Sequence, residues 1–206
     1  MKSLKLCLMT LYHPIVVTEH IKKQRGEKMN WAPVVILLLA LGVRILSIYG
    51  THYPLAAVSV RKANLLLECG KLFVPVLTWV LASYMMTTIL DGETLFTETL
   101  LFSSYALTPY IVFTPLLTLG SRIMENSQIG LYASLEVIIL GWVVLLMILA
   151  LKEMNGYSMG KTVLMIFLSL FTMIMIWAMV ILLFTIASQF VGMIKEMFYE
   201  VIYRID

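Results

Sequence analysis

The chain has 206 residues, 61% hydrophobic and only 13% charged, with a net charge of +3 and a mean hydropathy of +0.93. Soluble domains run at about 45–50% apolar and about 25% charged, so this chain lacks the polar surface to cover a globule in water. A soluble enzyme, a nucleic-acid-binding domain and a disordered regulator are excluded, and the class is integral membrane protein. At roughly 20 residues per span, the length fits about five or six helical crossings.

The N-terminal run from Met1 to Pro14 carries Lys2 and Lys5 around a short apolar stretch. It is too brief for a secretory leader and has no small-residue cleavage site, so it is read as retained. From Pro14 to Gly26 the pattern predicts a short helix, since proline suits the first helical position and glycine the position past the end. Lys22, Lys23 and Arg25 fall in its last turn, with Lys28 just beyond. Cations there complement the helix dipole and offer contacts to anionic headgroups. Residues 1–30 therefore read as a cytoplasmic amphipathic segment lying on the membrane, with Trp31 as its anchor.

Five stretches in 31–187 have the length and apolarity of a span. They run from Trp31 to Tyr49, Phe73 to Leu90, Ser103 to Leu119, Ser134 to Leu151, and Thr162 to Ala187. Unpaired backbone is not tolerated in hydrocarbon, so each must be a helix. None alternates with period two, which argues against a barrel. The last stretch is long enough to tilt or to leave the bilayer. Beyond it, residues 188–206 read as an amphipathic C-terminal helix that lies on the membrane or meets a partner. The expected fold is an all-α polytopic transmembrane bundle of about five spans, with amphipathic helices at both ends.

With the N-terminus inside, eight Lys and Arg fall on the cytoplasmic side against six outside. The expected orientation is N-terminus cytoplasmic and C-terminus extracellular.

Catalysis needs a nucleophile with its base, paired carboxylates or metal ligands at workable spacing. Asp91 is the only Asp before Asp206, and the nucleophile-elbow, zinc-protease and phosphate-loop motifs are absent. His13, His20 and His52 form no ligand set, and Cys7 and Cys69 sit in unrelated surroundings. No enzyme, metal or cofactor is implied, and net charge gives no reason to expect nucleic acid. The fifteen Met residues read as packing.

Ionisable groups inside spans are costly and often functional. Arg44 either snorkels to the interface or pairs within the bundle, with Glu136 as the expected partner. Asp91, Gly92 and Glu93, with Glu98 behind, form a loop of three acids and no base. That loop is either a capped tight turn or a docking surface for a partner. Tyr105, Pro109, Tyr110 and Pro115 make a kink motif in the third span, which either shapes packing or lines a substrate path.

An ordered set of residues resembles a known family. It comprises His13-Pro14-Ile15, Ile21-Lys22, Asn64, Trp79, Thr87 through Glu93, Phe96, Tyr105 through Tyr110, and Tyr157 through Thr162. In order and spacing these resemble the bacterial branch of the Yip family, five-span proteins named for eukaryotic members that interact with Rab-type GTPases. The chain departs in having Thr94-Leu95 where family members often have Gly-Thr, and in lacking the Asp-Leu-x-Gly-Pro signature of eukaryotic members. Rab binding is therefore not carried over. The resemblance implies a non-enzymatic accessory or scaffold subunit in a bacterial plasma membrane, with lipids and other integral membrane subunits as partners. A carbohydrate ABC importer, through its permeases, is the expected complex. The alternative is a small-solute transporter or channel acting as an oligomer.

Overall fold

The computed structural model describes residues 2–23, 31–52, 55 and 64–203. Among them the regular structure is helical. Two short helices, α1 (Lys2–Tyr12) and α2 (Pro14–Lys23), precede α3 (Ala32–Gly50), α4 (Leu65–Ile89), α5 (Phe96–Ala106), α6 (Thr108–Gly120), α7 (Ile129–Asn155) and α8 (Met159–Tyr203). With α5 and α6 taken as one broken span, five segments are long and apolar enough to cross a membrane. The multi-pass expectation is met.

Two sets of contacts define the ends of the bundle. At one, the Thr51 and Tyr132 hydroxyls are 3.2 Å apart, and the His52 amide donates to Ser121 Oγ at 3.1 Å. These contacts tie the end of α3 to the α6–α7 corner. At the other, Thr94 Oγ1 donates to Asn155 Oδ1 at 2.9 Å, tying the α4–α5 turn to the end of α7. The N-terminal helices α1 and α2 pack near this second end.

The broken span is the hub. Residues 102–110 are all buried, and 56% of the span's most apolar stretch is covered by protein, against 6% for α8. A central cluster joins Ala40, Val76, Ala106, Tyr110, Val143 and Met147 from α3, α4, α5, α6 and α7. Interleaved with it are small hydroxyl residues, Ser83, Thr87, Thr99, Ser104, Thr114, Thr118 and Ser121, all buried. In lipid there is little hydrophobic drive between helices, so small residues that let backbones approach carry the packing. Most of these hydroxyls donate to a carbonyl three or four residues back, for example Ser83 to Trp79 and Thr118 to Thr114.

Four sequence expectations change. The second span begins at Leu65, not Phe73, because Asn64 caps it: its side chain accepts from the Leu66 and Leu67 amides. Glu68 and Lys71 thus belong to the span and not to a loop. The third span is two helices, with Leu107 at the break. No separate tail helix starts at residue 188, since α8 continues unbroken through that point. The first residues form a helix of their own, α1, which was read only as an apolar run.

The segment expected to lie on the membrane packs one face on protein. Cys7, Val17 and Ile21 share a buried cluster with Ile36, Phe102, Tyr105, Ala150 and Met154. Lys23 is exposed at the end of α2 and Lys22 partly so, while Arg25 and Lys28 lie outside the described residues. Cys7 and Cys69 are free thiols.

Burial pushes the Cys7 thiol above its ordinary range, since the thiolate is disfavoured away from water. In a Cys69→Ser protein, Cys7 should therefore alkylate slowly in the folded state, and its rate should climb only at pH above that of a free thiol. Unfolding should release it at once. Rapid labelling at neutral pH in gentle detergent would show that α1 does not pack on the bundle.

Candidate functional site

Four charged residues of the spans gather near the first end. Arg44 lies toward the end of α3, Glu68 and Lys71 near the start of α4, and Glu136 near the start of α7. Arg44 Nη2 is 2.6 Å from Glu68 Oε2, and Lys71 Nζ is 2.5 Å from Glu68 Oε1. The Glu68 side chain is only 5% exposed, so its charge is tolerable because each oxygen has a cation. The lysine comes from three residues along the same helix and the arginine from its neighbour. Arg44 thus pairs within the bundle with Glu68, where the sequence reading expects Glu136. Glu136 could be named only if the packing of α4 against α3 was overlooked.

Glu136 nevertheless faces the same space. A cleft of about 160 Å³ is lined by Arg44, Lys71, Tyr110, Thr114 and Glu136 together with apolar residues of α4 and α7. Tyr110 is buried, and its hydroxyl has no hydrogen-bond partner of good geometry. The sequence thus pointed to Arg44, Glu136 and Tyr110, which the fold brings together. It missed Glu68 and Lys71, whose signal was Asn64 with an acid four residues on, at the start of an apolar run.

The acidic loop has a different character. Asp91 adopts a left-handed backbone (φ 53°), and the Gly92 amide reaches back to the Thr87 carbonyl at 2.7 Å. A Cβ on Gly92 would fall 2.6 Å from Tyr157 Oη, 2.7 Å from Asn155 Oδ1 and 2.8 Å from Thr87 Cβ. Glu98 is buried, and its carboxylate accepts from the Leu95 amide at 2.9 Å, capping α5. Only Asp91 and Glu93 face outward as exposed acids. Across the turn, Lys161 Nζ lies 4.4 Å from the centre of the Tyr157 ring, a cation–π contact. Burial and the nearby Asp91 charge push the Tyr157 hydroxyl above its usual range.

A family model for the Yip1 domain matches residues 9–196, nearly the whole chain. The chain belongs to the Yip1 domain family. Comparisons with curated proteins and with solved structures found no match. In this Yip1 protein, part of the set that carried the resemblance meets in space. Thr87 and Tyr157 both crowd Gly92 at one end, so two distant sequence segments form one packed corner. Pro109, also in that set, follows the break between α5 and α6. It has no amide for the Tyr105 carbonyl; the Thr108 hydroxyl donates there instead, at 2.5 Å. Pro115 sits inside α6, which continues through it.

Two substitution tests follow from these geometries. Arg44→Glu should lower stability by about 3 kcal/mol or more, because it removes one of the two cations on buried Glu68 and sets a second carboxylate beside it. Adding Glu68→Arg should recover part of the loss, and adding Glu136→Arg should recover less, as read from detergent thermal melts. Gly92→Ala should cost about 1–3 kcal/mol through overpacking. Adding Tyr157→Phe should recover only part of that, because Asn155 and Thr87 still crowd the new methyl.

Proposed function

We propose that this Yip1-domain protein is a non-enzymatic scaffold or accessory subunit that holds another integral membrane protein against α8. The observation that carries the reading is the length and bareness of that helix. Residues 162–194 contain no Asp, Glu, Lys or Arg, and at 1.5 Å per residue they extend about 50 Å. A hydrocarbon core is about 30 Å thick, so lipid alone does not cover this stretch unless the helix tilts steeply. Thr162, Met165 and Ser169 are buried, with α4 as the main neighbour, whereas no described residue beyond Ser169 is buried. A second helical surface is the natural cover for what remains. In this reading the protein is multi-pass in a bacterial plasma membrane, with the N-terminal helices α1 and α2 and the Asp91 turn on the cytoplasmic side. Its partner class is a permease, with that of a carbohydrate ABC importer first to test.

The alternative, small-solute transport as an oligomer, draws support from the meeting of Arg44, Glu136 and Tyr110 in one cleft. It is weaker because the cleft lies toward one end of the bundle, where residues of α3, α4 and α7 line it.

Purification in gentle detergent should bring down an integral membrane partner in fixed stoichiometry. Replacing residues 176–194 with leucine preserves length and apolarity but erases surface shape, and it should release that partner while the bundle stays folded. A monodisperse lone protein, or a partner retained by the leucine version, would defeat the scaffold reading.

A further inference from the structure

The cleft holds more hydrogen-bonding chemistry than the fold uses. A guanidinium has five N–H donors and an ammonium three, and Arg44 and Lys71 each direct one to Glu68. Glu136, partly buried on the opposite wall, makes no ion pair within 4 Å with any described residue. Tyr110 is only 6% exposed, and its hydroxyl, beside the Arg44 guanidinium, has no hydrogen-bond partner of good geometry. The volume of about 160 Å³ is far above the roughly 10–15 Å³ that one water requires. Leu140 completes the wall and is 48% exposed on the outer face, so the rim is apolar where lipid lies.

Depth and charge together narrow the ligand. Arg44, Lys71 and Glu136 sit about two turns from their helix ends, roughly 10 Å in. Helices α4 and α7, with 25 and 27 residues, exceed the hydrocarbon thickness by several ångströms. The charges thus lie near the boundary between headgroups and hydrocarbon. The four ionisable groups, two cations and two carboxyls, offer matched signs on the two sides of the cleft. A simple anion would meet Glu136, and a simple cation would meet Arg44 and Lys71. A group with both signs a few bonds apart matches each wall. Because Glu136 is an acceptor, a primary ammonium with N–H donors fits better than a quaternary one.

We propose that the cleft binds a phosphoethanolamine-type zwitterion, with phosphate on Arg44 and Lys71 and ammonium on Glu136, and with the Tyr110 hydroxyl completing the polar wall. The source is either phosphatidylethanolamine from the bilayer or a free soluble phosphoethanolamine.

Native mass spectrometry of the full-length protein with added phosphatidylethanolamine, phosphatidylcholine and phosphatidylglycerol tests this directly. Phosphatidylethanolamine should be retained about tenfold or more over the other two, the ratio expected for a charge-assisted hydrogen bond. Glu136→Gln should bring it down toward the phosphatidylglycerol level, without weakening retention of phosphatidylglycerol, whose phosphate no longer meets a carboxylate. Tyr110→Phe gives a second readout, a smaller loss of the same lipid, should the glutamine variant fail to fold. Displacement by millimolar phosphoethanolamine would assign the site to the soluble zwitterion, and failure to displace would assign it to the lipid. Equal retention of all three lipids by the unaltered protein, or retention indifferent to both variants, would overturn the proposal. Loss of the α8 partner leaves this measurement untouched, so the two readings fail separately.

Discussion

The hydrogen bond from Thr108 Oγ1 to the Tyr105 carbonyl holds together the segment on which the bundle is built. Pro109 removes the amide that would serve that carbonyl, and in a buried site a stranded carbonyl costs free energy comparable to a lost hydrogen bond. With the threonine hydroxyl in its place, the span can bend at Leu107 and stay buried on both sides of the bend. Helices α1, α2, α3, α4 and α7 all pack against α5 or α6. The same economy repeats along this span, where Thr99, Ser104 and Thr118 return their hydroxyls to the preceding turn. A hydroxyl satisfied within its own helix presents a small, effectively apolar surface to the neighbour. The most polar of the five spans is thus also the most enclosed.

That inversion explains what could and could not be read from the sequence. Apolarity located all five crossings, because lipid contact demands it and little else. It misplaced the start of α4 because Glu68 and Lys71 look like loop residues until Arg44 is brought beside them. The ion pair then makes one neutralised cluster out of groups that hydropathy counts as separate penalties. Asn64 and Glu68 were a legible helix start, a cap with an acid in the first turn, but reading them needed attention to capping and not to apolarity. Choosing Glu136 over Glu68 for Arg44 was an error of adjacency: both carboxylates were near the right depth, and only the neighbour relation of α3 and α4 decides between them. The Asp91 turn was legible as a turn. That Glu98 belongs to the helix cap follows from its position three residues after Leu95.

The two ends of the bundle divide the polar residues by type. At one end Arg44, Lys71 and Glu136 face a cleft, and Glu136 makes no ion pair with any described residue. At the other, the acidic turn is locked by close packing. Gly92 has no room for a methyl, and Tyr157 stands over it with Lys161 on its ring. A turn so tightly held offers Asp91 and Glu93 in fixed positions, but little capacity to rearrange around a ligand. The chain's small supply of polar residues is thus concentrated in a corner that fixes the fold and a cleft that retains unused donors and acceptors.

Helix α8 stands apart from both. Its first turns are fixed on the bundle by Thr162, Met165 and Ser169, yet it runs to Tyr203, about 67 Å in all. A helix that only needed to span would end after about 20 residues, and a helix that only needed to anchor would carry charge soon after leaving the core. Instead the next charge after Lys161 is Lys195. Carrying apolar side chains past the bilayer is unfavourable in water, so such a stretch is stable only if something other than water surrounds it. Met165 and Ser169 are fully buried where α8 meets α4, and no described residue beyond Ser169 is buried, so under the scaffold proposal the far half of α8 is the face left for a partner.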